Sequence, residues 1–386
     1  MELKKIHISD IGKVVTGKTP RTSVAENYGG DIPFLTPSDN LSHKSAPKTI
    51  KTLTKQGLNE VKNCLLPPQS VCVSCIGSDL GKVVMTVEPT VTNQQFNSIV
   101  PNENFNADFV YYLMSQVGKE LNYLSKTSTA VPIINKSSFS NYEVEVPSLK
   151  VQEKIASILA SLDSKIELNR RINDNLEQQA QALFAEVFES DHTFTQLGAV
   201  IETCSGGTPS RNNLDYYIDG TICWVKSKEL NRSFLFDTEE KIAQVGIDRS
   251  SAKLLPKNSV LIAMYGATVG EYCIIDKPMT CNQAICALLP SSDYPASYLY
   301  MFIKQKRNEL INLAVGSAQQ YFSQVLIKGL CVSDNLKLIA KFDKMVMPIF
   351  NMIRKNVKES IILEAERNTL LPRLMSGELK INDLNC

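Results

Sequence analysis

The amino-acid sequence is written twice. The segment TGKTPRTS (16–23) returns as SGGTPSRN (205–212), which matches Thr19-Pro20 to Thr208-Pro209 at a shift of 189 residues. IPFLTPSD (32–39) returns as ICWVKSKE (222–229), and LLPPQSVCVSCIGSDLGKV (65–83) returns as LLPKNSVLIAMYGATVGEY (254–272). Asn93-Gln94 returns as Asn282-Gln283, and FVYYLM (109–114) as YLYMFI (298–303). Five blocks at a nearly constant offset mark a tandem duplication, so the chain must fold as two copies of one domain.

Each copy reads as a mixed domain. Ser70 to Ile76 and Ser259 to Met264 are short, apolar and β-branched, opened by Leu-Leu-Pro and closed by Gly77 or Gly266. This is the pattern of a buried strand that ends in a turn. Phe109 to Lys119 and Tyr298 to Arg307 carry helical spacing.

A long helical pattern follows each copy. From Ile155 the apolar positions run Leu159, Leu162 and Ile166, pass Asn169 and Asn173, and continue at Leu176, Ala180, Leu183 and Val187. The alternating steps of four and three are those of a coiled-coil seam. The second seam runs Phe342, Val346, Ile349, Ile353, Asn356, Ser360, Leu363, Leu370 and Leu374. An ordinary amphipathic helix on its own domain gives a similar stripe. This one, however, extends roughly 50 Å at 1.5 Å per residue, more than a domain of this size can cover. The polar interruptions also coincide, Asn169 and Asn173 matching Asn356 and Ser360. The two seams are therefore expected to pair antiparallel, with Asn169 facing Ser360 and Asn173 facing Asn356, polar layers that would fix the register. Pro348 is expected to kink the second helix or to mark where it begins.

The predicted architecture is α+β: two tandem-duplicated mixed α/β domains, with two long helices forming an antiparallel coiled coil about a pseudo-twofold axis. The boundaries are 1–148 for the first domain, 149–190 for a central spacer helix, 191–335 for the second domain, and 336–386 for a C-terminal spacer helix and tail.

Composition narrows the function. The chain has 386 residues, 43% hydrophobic and 21% charged, which excludes a disordered protein. Lys plus Arg number 41 against 40 Asp plus Glu, so bulk charge gives no reason to expect a nucleic acid and any such partner must be met by local patches. No stretch is apolar enough to span a membrane, and the opening MELKKIHISD lacks the apolar core of a signal peptide, so a soluble cytoplasmic protein is expected. Ten cysteines lie mostly in apolar runs; Cys72 and Cys75 form one CxxC without a second ligand pair at zinc spacing, so no metal is expected. There is no phosphate loop of the form GxxxxGK[ST], no Asn or Asp followed by Pro-Pro-aromatic, and no GxSxG. Catalysis is not expected of this chain, and a catalytic residue is not assigned.

Two similar domains held apart by a rod form a caliper. DNA suits it, because equivalent faces of the duplex recur about every 34 Å. The GKTP and GGTP openings, IPFLTPSD, the Asn-Gln pairs, VPSLKVQEKIASILASLDSKIELNRRINDNLE (146–177) and the closing TLLPRLMSGEL (369–379) together resemble the specificity subunit of type I restriction-modification systems. The resemblance covers essentially the whole chain. It implies that each domain is a target recognition domain reading one half of a bipartite, asymmetric target in double-stranded DNA. It also implies that the coiled coil sets the gap, and that two modification subunits (an adenine methyltransferase) and restriction subunits dock on the chain. S-adenosylmethionine, ATP and Mg would then lie on those partners and no cofactor on this chain. The second helix begins LKLIAKFDKM, without the Gln-Glu-Lys-Ile match of the first.

Residues identical in both copies cannot distinguish two half-sites, so Thr19, Pro20, Thr208, Pro209, Gly77, Gly266 and the Asn-Gln pairs lean towards scaffold. Gln94 and Gln283 stay candidates, because an amide can bond adenine bidentately. Specificity should sit where the copies diverge at constant length, foremost at Asn40 to Asn63 against Leu230 to Lys253. The first stretch holds His43, Lys44, Lys48, Lys51 and Lys55, a basic patch suited to phosphates or guanine. The second carries Arg232 beside Asp237, Glu239 and Glu240, acids that can accept from cytosine or simply belong to a solvated surface. Lys18, Arg21 and Arg211 follow the Gly-Thr-Pro turns, and Lys226 and Lys228 join the candidates. Lys126 and the cluster Gln319, Gln320 and Tyr321 mark two further divergent stretches. For each lysine a plain surface charge is the competing explanation. For the chain as a whole, the competing function is a duplicated protein-binding scaffold that does not contact DNA.

Overall fold

The structure, a computed structural model, describes residues 2–77, 79–126, 133–314 and 320–379. It divides into two compact units, one of residues 1–165 with 363–386 and one of residues 166–362. Each unit holds one mixed domain together with portions of two long helices, the central helix Leu149–Phe188 and the C-terminal helix Leu336–Met375.

In the first unit a four-stranded antiparallel sheet has the order Gly12–Thr16, Phe96–Pro101, Val71–Ser74, Val83–Met85. A second sheet has the order Lys51–Leu53, Tyr28–Leu35, Thr90–Thr92, Leu65–Leu66, in which Phe34 and Leu35 run parallel to Val91 and Thr92. The second unit repeats both. Its larger sheet orders Thr203–Ser205, Ile285–Leu288, Val260–Ala263 and Tyr272–Ile275 and adds Phe234–Leu235 at the edge; its smaller sheet orders Lys241–Ile242, Ile222–Val225 and Thr280–Cys281. The duplication extends to register: Val71 faces Ile99 and Val260 faces Leu288, each residue displaced by 189. The parallel pair recurs too, with Trp224 and Val225 against Thr280 and Cys281. The strands Val71–Ser74 and Val260–Ala263 are buried throughout, as their unbroken apolar runs demand.

The turns are repeated for a steric reason. Gly77 and Gly266 have φ of 86° and 75°, in the left-handed region that only glycine adopts without strain. Gly17 and Gly206 are needed for another reason, since a Cβ on either would lie 2.1 Å from the carbonyl oxygen of Asn93 or Asn282.

Helix Ala107–Lys126 covers the first sheet and helix Ala296–Asn312 the second. Within the first unit, Ile155, Ala156 and Leu159 of the central helix share one core with Leu371, Leu374 and Met375 of the C-terminal helix. Tyr112 donates to Asp163 at 2.5 Å, and Arg367 donates to the same carboxylate at 2.6 Å. Burial first, and then the Asp163 charge, push the Tyr112 phenol far above its ordinary value, so it remains a donor at every physiological pH.

Within the second unit the two helices also run antiparallel, and the polar layers meet in the register that their spacing predicts. Asn169, fully buried, donates to Glu359 at 2.8 Å and to Ser360 at 3.4 Å, and Asn356 donates to Asn173 at 2.9 Å. Phe342, Val346 and Ile353 are buried, and Ile349, Leu176 and Leu183 are half-buried against the same core. Leu162, Ile166, Leu363 and Leu370 are half-buried as well. Phe184, Phe350 and Val357, which the seam did not include, are more deeply buried than these. A domain packs onto the helix pair here, which widens the apolar stripe beyond a two-position seam. Glu177 of the central helix anchors that domain: Ser233 and Tyr300 donate to it, the latter at 3.1 Å, and Lys304 lies at 2.5 Å.

Pro348 lies inside the second helix. It does not mark the helix start, since the helix begins at Leu336 and is continuous through it. Pro348 and Lys344, whose carbonyl it leaves without a donor, are both exposed, so water can replace the lost bond.

The Asp163 joint is testable. Arg367→Met strands a carboxylate that is mostly buried, and should destabilise the first unit by about 3 kcal/mol, read as a lower urea midpoint.

Candidate nucleic-acid interface

In each unit one end of the larger sheet gathers the loops that the repeat singles out. In the first, Thr16 pairs with Asn97 and Ser74 with Phe96, so the loops after Thr16 and after Ser74 and the one before Phe96 leave the sheet together. They are tied by Gly17 N to Phe96 O at 3.1 Å and Cys75 N to Gln95 O at 2.8 Å. Thr19 donates its hydroxyl to the Gln94 side-chain oxygen at 2.6 Å. In the second unit Thr208 donates in the same way to Gln283. Each Pro of the Thr-Pro turn offers its carbonyl to a tyrosine, Pro20 to Tyr28 at 2.8 Å and Pro209 to Tyr217 at 2.6 Å. The duplicated residues thus build one polar scaffold twice, with Gln94 and Gln283 exposed upon it.

The charged surroundings differ. Lys18 is exposed beside the first scaffold, and its N–H donates to Thr92 at 2.9 Å. Lys48, Lys51 and Lys55 are exposed, and among the described residues they make no ion pair; His43 is exposed as well. Arg21 donates from Nη2 and Nε to one oxygen of Glu60, at 2.7 and 3.0 Å, and from its backbone N–H to the other at 3.0 Å. The hydrogen bond from the Arg21 guanidinium holds the Glu60 carboxyl down at about 2.

In the second unit the bases are matched by acids. Glu240 joins Lys226 at 2.6 Å and Arg211 at 2.7 Å, and Glu239 joins Lys228 at 2.7 Å. The Lys226 ammonium, followed by the Arg211 guanidinium, holds the Glu240 carboxyl below its usual range. Arg211 lies 4.5 Å from the Tyr217 ring centre and 5.0 Å from that of Trp224, a cation–π seat. Lys226 follows Val225, whose carbonyl accepts from Asn282, and so stands at the same sheet end as Gln283. Gln320 and Tyr321 arrive there as well, since Gly266 N donates to Gln320 O at 3.0 Å.

Some candidates are placed elsewhere. Lys44 is half-buried and does not join the patch around it: its ammonium lies 2.7 Å from Asp108, 3.3 Å from the Tyr112 hydroxyl and 4.7 Å from the Tyr112 ring centre. Residues 44–46 run along the edge of the strand Val83–Met85, which turns Lys44 onto helix Ala107–Lys126. Arg232 is half-buried beside Ser233, the residue that bonds Glu177. Gln319 and the side chain of Lys126 lie outside the described residues. Cys72 and Cys75 are buried, and burial pushes the Cys72 thiol up to about 12, which suits packing.

The family described as the type I restriction modification DNA specificity domain matches residues 1–178 and 189–332. The chain belongs to that family. This specificity subunit, with its two tandem DNA specificity domains, is the non-catalytic component of a type I restriction-modification system. Across 99% of its length it is 25% identical to the type I restriction enzyme MjaIX specificity subunit of Methanocaldococcus jannaschii, covering 94% of that protein. The HindI specificity subunit of Haemophilus influenzae is 36% identical over 43% of this chain and 38% of its own length. A solved structure of a type I restriction-modification S subunit from M. genitalium shares the fold, with a TM-score of 0.51 at 16% identity over 97% of this chain and 96% of that one.

Sequence reasoning about the specificity subunit passed over Tyr265, half of an exposed aromatic pair with Tyr321. The signal was available: Ile76 and Tyr265 differ at matched positions inside the most similar block of the repeat.

The Glu60 pair gives a pH dependence. Its folded-state pKa lies below the unfolded one, so its stabilisation is complete above about 4.5 and disappears as the pH falls towards 2. Arg21→Ala should therefore lower the unfolding midpoint at pH 7 and leave it unchanged near pH 2.

Proposed function

We propose that the two domains read the two unequal halves of a bipartite target in double-stranded DNA, and that the paired helices fix the gap. One observation carries this reading. The same Thr–Gln scaffold stands at the same sheet end of both domains, while the residues around it differ in charge and in ring chemistry. A reader of two different half-sites needs a constant frame with a divergent surface. A scaffold gripping a symmetric partner would keep both surfaces alike.

The exposed lysines of the first domain would hold phosphates, and the amides of Gln94 and Gln283 would reach base edges. Modification subunits bringing adenine methyltransferase activity and S-adenosylmethionine would dock on the chain, as would restriction subunits bringing ATP and Mg. The relatives' names as specificity subunits of type I restriction enzymes support that partnership. Work on DNA in the cytoplasm belongs to the same proposal; no described helix is long and apolar enough to cross a membrane.

Mapping methylated adenines in DNA exposed to the chain with its modification subunits should show two short half-sites at a fixed separation. A single continuous motif would overturn the reading. Replacing residues 40–63 should alter one half-site only. Lengthening both long helices by a heptad should change the gap and leave both half-sites as they were. Substituting Ala for Lys48, Lys51 and Lys55 should weaken binding to all sequences alike, and should flatten the salt dependence by about 0.9 in log–log slope for each phosphate that is no longer neutralised.

A further inference from the structure

The described surface of the second domain carries an aromatic feature that neither packing nor the duplicated scaffold explains. Tyr265 and Tyr321 stack nearly parallel, 10° apart with ring centres at 5.7 Å, and are 38% and 42% exposed. Their neighbours point the other way. Met264 and Phe322 are buried in the core, so two short stretches alternate one anchored residue with one displayed ring. The backbone pins both stretches: Phe322 N donates to Met264 O at 3.1 Å, Gly266 N to Gln320 O at 3.0 Å, and Tyr265 pairs with Tyr321 as an antiparallel bridge. Met264 N in turn donates to Ala284 O at 2.8 Å, which sets the rings next to the loop that carries Gln283.

We infer that Tyr265 and Tyr321 form a base-stacking platform, whose open ring faces take the face of a nucleobase in the half-site that the second domain reads. This rests on the reading of that domain as a half-site reader and names the residues and the contact. Three observations favour a base over an apolar peptide. The pair is displayed at the sheet end that also carries the Gln283 amide and the Thr208 hydroxyl. It stands where the copies diverge: the matching bridge in the first domain joins Ile76 to Ile133, which is 61% exposed and has no π-face. And a rigid parallel pair presents a flat, sequence-tolerant surface of the kind on which bases stack. Bases within a duplex already stack on each other, so the partner is one freed at a deformable pyrimidine–purine step. The platform accordingly reads the ease of opening that step rather than a hydrogen-bond pattern.

The test compares Tyr265→Phe, Tyr321→Phe, Tyr265→Ile and Tyr321→Ile in the full chain, assembled with its modification subunits and selected on a library of randomised DNA targets. Isoleucine occupies the matching positions of the first domain, so these variants should keep the fold and the melting temperature. The Phe variants should bind as the unaltered chain does. The Ile variants should bind about tenfold more weakly, with relaxed preference at one or two positions of the second half-site. The first half-site and the salt slope should not change, because no phosphate-binding charge is removed. Ile variants with unchanged second half-site preferences would overturn the platform while leaving the two-domain reading intact, as would a weakening spread over both half-sites. Absence of any bipartite preference in the unaltered chain would overturn both.

Discussion

The buried asparagine layer governs the helix pair. Hydrophobic stripes alone allow two antiparallel helices to slide by a heptad at little expense, because leucine packs on leucine in either register. Asn169 removes that freedom. Fully buried, it finds Glu359 and Ser360 in one register only, while Asn356 finds Asn173. Any slip would leave several buried polar groups without partners, at about 1–3 kcal/mol each. Each domain is joined to the central helix by a carboxylate that a tyrosine and a cation share: Asp163 with Tyr112 and Arg367, Glu177 with Tyr300 and Lys304. The joints convert a fixed register into a fixed placement of each domain on its own stretch of helix.

Upon that frame the two domains share a central strand order and differ at its edges and in chemistry. The order of the four common strands of the larger sheet, the register of its central pair and the Thr–Gln contacts coincide, so the backbone at each reading end is set by the same bonds. One end displays Lys18 and the aliphatic side chain of Ile133. The other has its bases tied to Glu239 and Glu240 and displays two aromatic rings. A near-neutral chain can therefore carry exposed lysines without an ion pair among the described residues on one domain, and bases tied to acids on the other.

Much of this was legible in the sequence. The duplication gave the domain count, and the coincidence of Asn169 and Asn173 with Asn356 and Ser360 gave the register, because buried polar groups must find each other. What escaped was set by tertiary context. Lys44 belongs by composition to a basic patch, yet an edge strand turns it onto Asp108 and Tyr112 from a helix more than sixty residues away. Pro348 reads as a kink or a helix start, and the helix begins twelve residues before it. The pairing of Tyr265 with Tyr321 requires a bridge between loops 56 residues apart, which no local pattern announces.

The glycines at 17 and 206 carry a consequence for how such a surface can change. A side chain at either would meet a carbonyl oxygen at 2.1 Å, and the obstacle is backbone that no rotamer can move aside. Substitution is blocked at the pivot of each reading loop. It remains open at the flanking residues, whose side chains are displayed and whose backbone the pivot holds in place. Novelty in such a protein is therefore gained by changing what the loop carries, since its path is hinged to the neighbouring chain too tightly to be redrawn.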